Sequence, residues 1–257
     1  MKKELRVFLT AIMFYTRIPC PAWVDHSEHY LSASLKYLPA IGWIVGGYSA
    51  AVFYGAQLVL PVTVSLLLSM IAGILITGAF HEDGLADVCD AFGGGWTKED
   101  ILTIMKDSRV GAYGVIGMIL LLLLKFAALL EIATIGLTVF VPVLILAHAV
   151  SRFVALTFVQ THTYARDDAS TKSRPVVTRR LRAGEISFSV LLALAPFGLM
   201  KPLWLIVLMV PAYLAKALLG SYFNKRIGGY TGDCIGATQQ LCEVTFYISF
   251  LILWNFI

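Results

Sequence analysis

Apolar residues run in long unbroken stretches along this chain, and polar residues collect between them. Stretches of about 20 residues, enough to cross ~30 Å of hydrocarbon, fall at 37–60, 61–80, 111–130, 137–160, 187–200 continued across Pro202, 203–223 and 235–257. The pattern predicts an all-α fold: a polytopic integral membrane helix bundle of about seven transmembrane helices, organised as a single domain over 1–257. Ahead of them, MKKELRVFLTAIMFYTRIP sets Lys2 and Lys3 before an apolar run that Arg17 and Pro19 interrupt. No small-residue cleavage site follows, so the segment reads as a retained amphipathic helix lying in the interface rather than as a signal peptide.

One stretch departs from this pattern. From His81 to Gly111 the chain reads HEDGLADVCDAFGGGWTKEDILTIMKDSRVG, with ten formally charged side chains. If a helix continues through it, Asp83, Asp87 and Asp90 stand at i, i+4 and i+7 and share one face. Three like charges on one face destabilise a helix unless a cation lies among them, and oxygen ligands beside phosphate suit Mg²⁺. Gly93, Gly94 and Gly95 predict a flexible turn whose N–H groups face a phosphate. Thr97 followed by Asp100 predicts the N-cap of an amphipathic helix that carries Ile101, Leu102, Ile104 and Met105 on its apolar side.

Composition agrees with the pattern: 58% of the 257 residues are hydrophobic and 14% charged, against about a quarter charged in soluble domains, and mean hydropathy is +0.79. The net charge of +4 is less informative than where it lies. Lysines and arginines gather at Lys2 to Arg17, at Lys98, Lys106 and Arg109, at Arg166 to Arg182, and at Lys225 and Arg226. The opposite set of connections offers only Lys201. The positive-inside rule makes the first set cytoplasmic, placing the acidic stretch, the basic 161–186 connection and the 224–234 turn on one face of an inner membrane. No basic recognition module is present, so the positive charge fits anionic lipid and phosphate, and no nucleic acid. Cys20, Cys89, Cys234 and Cys242 form neither a CxxC pair nor a zinc spacing.

Three features outside the acidic stretch bear on chemistry. Arg152, after Ser151 and about two turns inside a span, and Glu243 in the last span each need a partner within the bundle, because a lone charge in lipid is costly. In the 161–186 connection Tyr164, Arg166, Lys172 and Arg174 are candidate phosphate contacts. Gly228-Gly229-Tyr230-Thr231-Gly232-Asp233 is a glycine-rich turn with one carboxylate at a membrane boundary. Lys36, Lys125 and Lys216 read as snorkelling side chains near the interface.

Together these words resemble the cobalamin synthase family, also called adenosylcobinamide-GDP ribazoletransferase. The resemblance rests on His81-x-Asp83-Gly84-Leu85-Ala86-Asp87-x-x-Asp90, Ile104-Met105-Lys106-Asp107-Ser108-Arg109-x-Gly111, Ser151-Arg152, Tyr164-Ala165-Arg166 and Gly228-Gly229-x-Thr231-Gly232-Asp233-x-x-Gly236-Ala237, with Phe14-x-Thr16-Arg17-x-Pro19 at the start. These words run in the family's order over nearly the whole chain. Glu82 departs from the apolar residue expected there, and Tyr37-Leu38-Pro39 replaces a Phe-Pro step. The resemblance implies a Mg²⁺-dependent transferase for substituted phosphate groups, acting at the last assembly step of the nucleotide loop of cobalamin (vitamin B12). A hydroxyl of α-ribazole, or of its 5′-phosphate, attacks the cobinamide-side phosphorus of adenosylcobinamide-GDP, and GMP leaves.

The implied metal ligands are Asp83, Asp87, Asp90 and Asp233. Substrate and phosphate contacts fall to Lys106, Ser108, Arg109, Arg152, Tyr164, Arg166, Gly229, Thr231 and Gly232, and Asp107 or His81 takes the hydroxyl proton. The implied partners are the two substrates and the lipid bilayer; contacts with other late cobalamin-assembly enzymes and a homo-oligomer stay open. Two rivals are set aside on sequence. A CDP-alcohol phosphotransferase expects Ala-Arg after its Asp-Gly-x-x and lacks the Lys-Asp-Ser-Arg word, and a cation transporter places its carboxylates near mid-membrane.

Overall fold

The computed structural model describes residues 2–24, 27–166, 178–200 and 203–256; Lys172 and Arg174 lie outside them. Helices dominate, and among the described residues no β-strand forms, only an isolated bridge between Tyr164 and Tyr230.

Helix α1 (Lys2–Tyr15) buries Val7, Thr10, Ala11 and Tyr15 on one face, packed on α2 (Glu28–Ser34) and the start of α3 (Leu38–Gln57). Its 14 residues are too few to span, consistent with an interfacial helix. α3 begins with Pro39 in its first turn, where the missing N–H costs nothing. Gly42 and Gly46 form a GxxxG face against α8 (Leu137–Leu156): a Cβ on Gly42 would strike the His148 carbonyl, and one on Gly46 the Ile145 Cα. Backbones approach this closely in lipid because packing, not water exclusion, drives helix association there.

Helix α4 (Val62–Thr77) stops at Gly78 (φ 64°), and Ala79 (φ 58°) starts α5 (Phe80–Gly94) at 89° to it. The expected 61–80 span is therefore a 16-residue helix followed by a corner. α5 runs across the N-terminal ends of α7 (Ala112–Ile135) and α12 (Gly232–Trp254): Gly84 meets the Asp233 backbone, and Asp90 meets Gly111 and Gly114. Between α5 and α7 lies α6 (Lys98–Ile104), opened by the expected Thr97/Asp100 capping box. Gly93 and Gly94 close α5 instead of forming a phosphate-facing turn, with Gly93 against the Tyr113 ring and only Gly95 extended.

A short helix α9 (Phe158–Thr161) extends α8, and α10 (Ala183–Leu194) continues as a 3₁₀ turn to Leu199. A further 3₁₀ turn (Leu203–Leu208) leads into α11 (Met209–Ile227). α12 stands at the centre, packed on α5, α7, α8 and α11, with every residue from Cys234 to Gln240 buried.

Four helical stretches among the described residues are long and apolar enough to cross a membrane: Glu28–Gln57, Ala112–Ile135, Leu137–Thr161 and Leu205–Ile227, with α4 and α5 a fifth if the bent pair counts as one. This is a multi-pass, all-α membrane bundle, with fewer such stretches than the seven apolar segments expected. Ala183–Leu199 is too short. α12 is long enough, but Thr238, Gln239, Gln240 and Glu243 fit it for the bundle's interior rather than for lipid. Conversely, α7 exposes Ile116, Ile119, Leu120, Leu123 and Leu124 as a lipid-facing surface.

Candidate active site

Two glycines let α5 and α12 meet at the first turn of α12. A Cβ at Gly84 would lie 3.0 Å from the Asp233 carbonyl oxygen, and one at Gly236 would lie 3.3 Å from that of His81. That approach sets Asp83 and Asp87 beside Asp233. Asp83 is exposed and Asp87 half-buried. Burial, then the charges of Asp233 and Asp83, push the Asp87 carboxyl up to about 7, because an uncompensated cluster of negative charge favours the proton.

The third acidic residue of the stripe is committed elsewhere. Asp90 Oδ2 accepts the Gly111 N–H at 2.7 Å and Oδ1 the Gly114 N–H at 2.8 Å, so the carboxylate caps the N-terminus of α7.

The basic connection enters the same site. Tyr230 N–H donates to the Thr163 carbonyl and Ala165 N–H to the Tyr230 carbonyl, and buried Gly229 admits Thr163, since a Cβ there would overlap its carbonyl oxygen. This clamp aims Arg166 at Asp233: Nη2 donates to Oδ2 at 3.0 Å and reaches the Met105 carbonyl at 3.4 Å. Tyr164 packs edge-on against Tyr230. Thr231 is the N-cap of α12, accepting the Cys234 N–H, and Gly232 is the first helical residue. Arg226 donates to the Gly95 carbonyl at 2.8 Å, fixing the 224–234 turn to the end of α5.

The 106–109 word lies at the rim. Lys106, Ser108 and Arg109 are exposed, and Arg109 forms a two-pronged pair with Asp107, 2.6 Å at the shortest. Hydrogen bonds from the Arg109 side chain and backbone hold the Asp107 carboxyl down at about 2. A carboxylate that acidic is a weak proton acceptor, and burial holds the His81 imidazole well below its ordinary range as well, so proton affinity favours neither of the two expected bases. His81 is buried, with its Nδ1 unpartnered.

Arg152 is not brought to this cluster. It is buried inside the bundle, Nη1 donating to the His148 carbonyl at 3.1 Å and lying 3.9 Å from Glu243. Glu243 also meets Lys125 at 2.5 Å and His148 at 3.1 Å. It accepts from Gln239 at 2.7 Å and from the Tyr247 hydroxyl at 3.2 Å. Both intramembrane charges thus find partners, and they are each other's neighbours. Lys125 is a correction: it does not snorkel but neutralises Glu243 from α7. Glu82 likewise points inward, accepting from Gln240 at 2.8 Å. Lys36 does stay at the interface, paired with Glu4 at 2.7 Å. Lys216 is buried and donates to the Thr161 hydroxyl at 2.7 Å.

Among the described residues, no three acidic, imidazole or thiol side chains close around a point by themselves. Mg²⁺ does not require that, since it keeps several waters and is typically held by one or two carboxylates together with substrate phosphates. Asp83 and Asp87 fit this mode: adjacent, accessible, and bearing negative charge that Asp87 relieves by holding a proton. Asp90 and Asp233 already have donors, so each has less of its carboxylate to offer an ion.

A protein-family model described as Cobalamin-5-phosphate synthase matches residues 7–251. A protein of Shewanella frigidimarina (strain NCIMB 400) is 44% identical over 254 residues, 97% of this chain and 95% of its own. One of Shewanella amazonensis (strain ATCC BAA-1098 / SB2B) is 42% identical over 255 residues, 99% of this chain and 98% of its own. Both carry the name adenosylcobinamide-GDP ribazoletransferase. No solved structure matches the chain.

Proposed function

The chain belongs to the cobalamin-5-phosphate synthase family, and from that premise we propose that it transfers the cobinamide phosphoryl group of adenosylcobinamide-GDP to α-ribazole or its 5′-phosphate. The acceptor hydroxyl forms the new P–O bond, the P–O bond to GMP breaks, and GMP leaves with the bridging oxygen. The observation that carries this reading is Arg166 held on Asp233 beside Asp83 and Asp87, a cation and free carboxylates at one bundle end.

Phosphoryl transfer asks mainly for positioning and charge neutralisation. Arg166, fixed on Asp233, presents its guanidinium to the diphosphate. Lys106 and Arg109 stand at the rim for the same anion. The N-terminus of α12, at Thr231 to Asp233, would add its backbone N–H groups to the same anion. Asp83 and Asp87 would hold Mg²⁺, with Asp90 and Asp233 shaping the surroundings; the ion supplies compensation for charge building on the leaving oxygen. Asp107 or His81 takes the acceptor's proton. The positive-inside distribution supports a site on the cytoplasmic side of the inner membrane.

The test is direct. Membranes containing the protein should release GMP from adenosylcobinamide-GDP only when both α-ribazole and Mg²⁺ are present. GMP release independent of α-ribazole, or CMP release from a CDP-alcohol instead, overturns the reading.

A further inference from the structure

The Phe14-x-Thr16-Arg17-x-Pro19 word carries the chain from the end of α1 onto the corner between α4 and α5. Thr16 closes α1, its N–H and its hydroxyl both donating to the Ile12 carbonyl, at 2.9 and 2.7 Å, and the same hydroxyl accepts the Ile18 N–H at 3.2 Å. Arg17 N–H then donates to the Ile76 carbonyl at 2.7 Å, so the main chain of the arginine is tied to the last turn of α4. Its side chain lies over Gly78, where a Cβ would overlap Nε. The glycine thus serves twice: its φ of 64° turns the corner, and its missing side chain clears the place that the guanidinium occupies.

That place borders a cavity of about 400 Å³ between the end of α1, the corner and the first turn of α12. Asp83 and Asp233 line the same cavity, which therefore opens on the acidic cluster. Among the described residues, Arg17 is the only lysine or arginine in that lining. It is exposed, and no described carboxylate pairs with it. A guanidinium that shares a cavity with carboxylates normally forms a forked pair with one of them, as Arg109 does with Asp107. The tie to α4 and the seat on Gly78 keep Arg17 off both Asp83 and Asp233, with its side-chain donors unused.

A guanidinium fork without a carboxylate is matched in shape and charge by a phosphate. Lipid headgroups and substrates both carry phosphate, but a lipid contact needs no cavity shared with Asp83 and Asp233. We propose that Arg17 is a substrate-binding residue, holding a substrate phosphate in this cavity at the α4 end of the acidic stripe. Lys106 and Arg109 stand toward the other end, just before the Gly111 N–H that Asp90 accepts. The proposal rests on the ribazole-transfer reading and deepens it, and it gives the word after α1 a part in the reaction. Two phosphates have the required chemistry: the diphosphate of adenosylcobinamide-GDP and the 5′-phosphate of the phosphorylated acceptor.

The experiment uses the full chain in lipid nanodiscs, wild type and the variants Arg17→Ala and Arg17→Lys. KM is measured for adenosylcobinamide-GDP, for α-ribazole and for α-ribazole 5′-phosphate, and equilibrium dialysis measures binding of inorganic pyrophosphate with Mg²⁺ and no substrate. Arg17→Ala should raise the KM of a phosphate-bearing substrate about 10- to 100-fold, the range of a hydrogen bond to a charged group, and weaken pyrophosphate binding by a similar factor. Arg17→Lys should recover part of both. The KM of α-ribazole, which has no phosphate, should stay unchanged, and so should the melting temperature, because the side chain is exposed. A rise in the donor's KM with α-ribazole as acceptor identifies the diphosphate, and a rise confined to α-ribazole 5′-phosphate identifies the acceptor's phosphate. Unchanged constants for both phosphate-bearing substrates overturn the proposal, as does an equal rise for α-ribazole. A shift present with anionic lipid and absent in purely zwitterionic nanodiscs makes Arg17 a lipid contact and also overturns it. If wild type releases no GMP under any condition, the parent reading fails, and the dialysis arm judges Arg17 by itself: equal pyrophosphate binding by wild type and Arg17→Ala removes its role.

Discussion

Arg166 Nη2 donates to Asp233 Oδ2 at 3.0 Å, so the connection after α9 is tied to the N-terminus of α12 at the point where α5 crosses it. Removing the guanidinium takes away a phosphate donor and frees an acidic group that now faces two others. Arg166→Ala should lower turnover about 10- to 100-fold, the range of a hydrogen bond to a charged group. Arg166→Lys should recover part of it, and GMP release at saturating donor is the measurement.

The aspartate stripe should divide. Asp83→Asn and Asp87→Asn should each lose most turnover and shift the Mg²⁺ requirement upward. Asp90→Asn keeps one acceptor oxygen where two N–H groups need it, and should cost about 1 kcal/mol of stability with a smaller change in the Mg²⁺ requirement. Thermal melting and Mg²⁺ titrations of activity separate the two effects; equal Mg²⁺ shifts in all three variants would restore Asp90 as a full ligand.

Magnesium and protons should compete at Asp87. Its carboxyl, raised to about 7, is mainly protonated below that value and mainly ionised above it. The ion must displace the proton at low pH, so apparent Mg²⁺ affinity should fall up to about tenfold per unit below pH 7 and level off above it. In Asp87→Asn this slope should flatten. A Mg²⁺ requirement constant from pH 6 to pH 8 in the wild type contradicts the assignment.

Deep in the bundle, Glu243→Ala would leave Lys125 and Arg152 buried without their anion. That should destabilise by roughly 3–5 kcal/mol, read as loss of folded protein and of melting temperature. Lys125→Met paired with Glu243→Gln should restore part of the stability, because both ends of the pair are neutralised.

Local signals in the sequence were legible and largely sufficient for the bundle end: the α5 periodicity, the Thr97 cap and the glycine turn before Asp233 all report on nearest neighbours. The corner was half legible: Gly78 is the kind of residue that ends a helix in the left-handed region, whereas the left-handed alanine after it follows from the packing around it. Lys125 was misplaced for a related reason. In the expected 111–130 span it sits toward one end, which suggests an interface, whereas α7 runs to Ile135 and puts it near the middle, and its partner Glu243 lies on another helix that hydropathy cannot register. Gly42 and Gly46, four residues apart in an apolar run, are a signal for the α3–α8 contact that the sequence reading passed over.

The right-angle corner after α4 decides where the carboxylates end up. The 16 residues of α4 already cover about 24 Å of a ~30 Å hydrocarbon core. A straight continuation would carry Asp83 and Asp87 about 9 and 15 Å past Thr77, out of the bundle and away from Asp233. A left-handed alanine, at ~1–2 kcal/mol, lays α5 across the first turn of α12 instead and keeps the acidic stripe within reach of the bundle's own end.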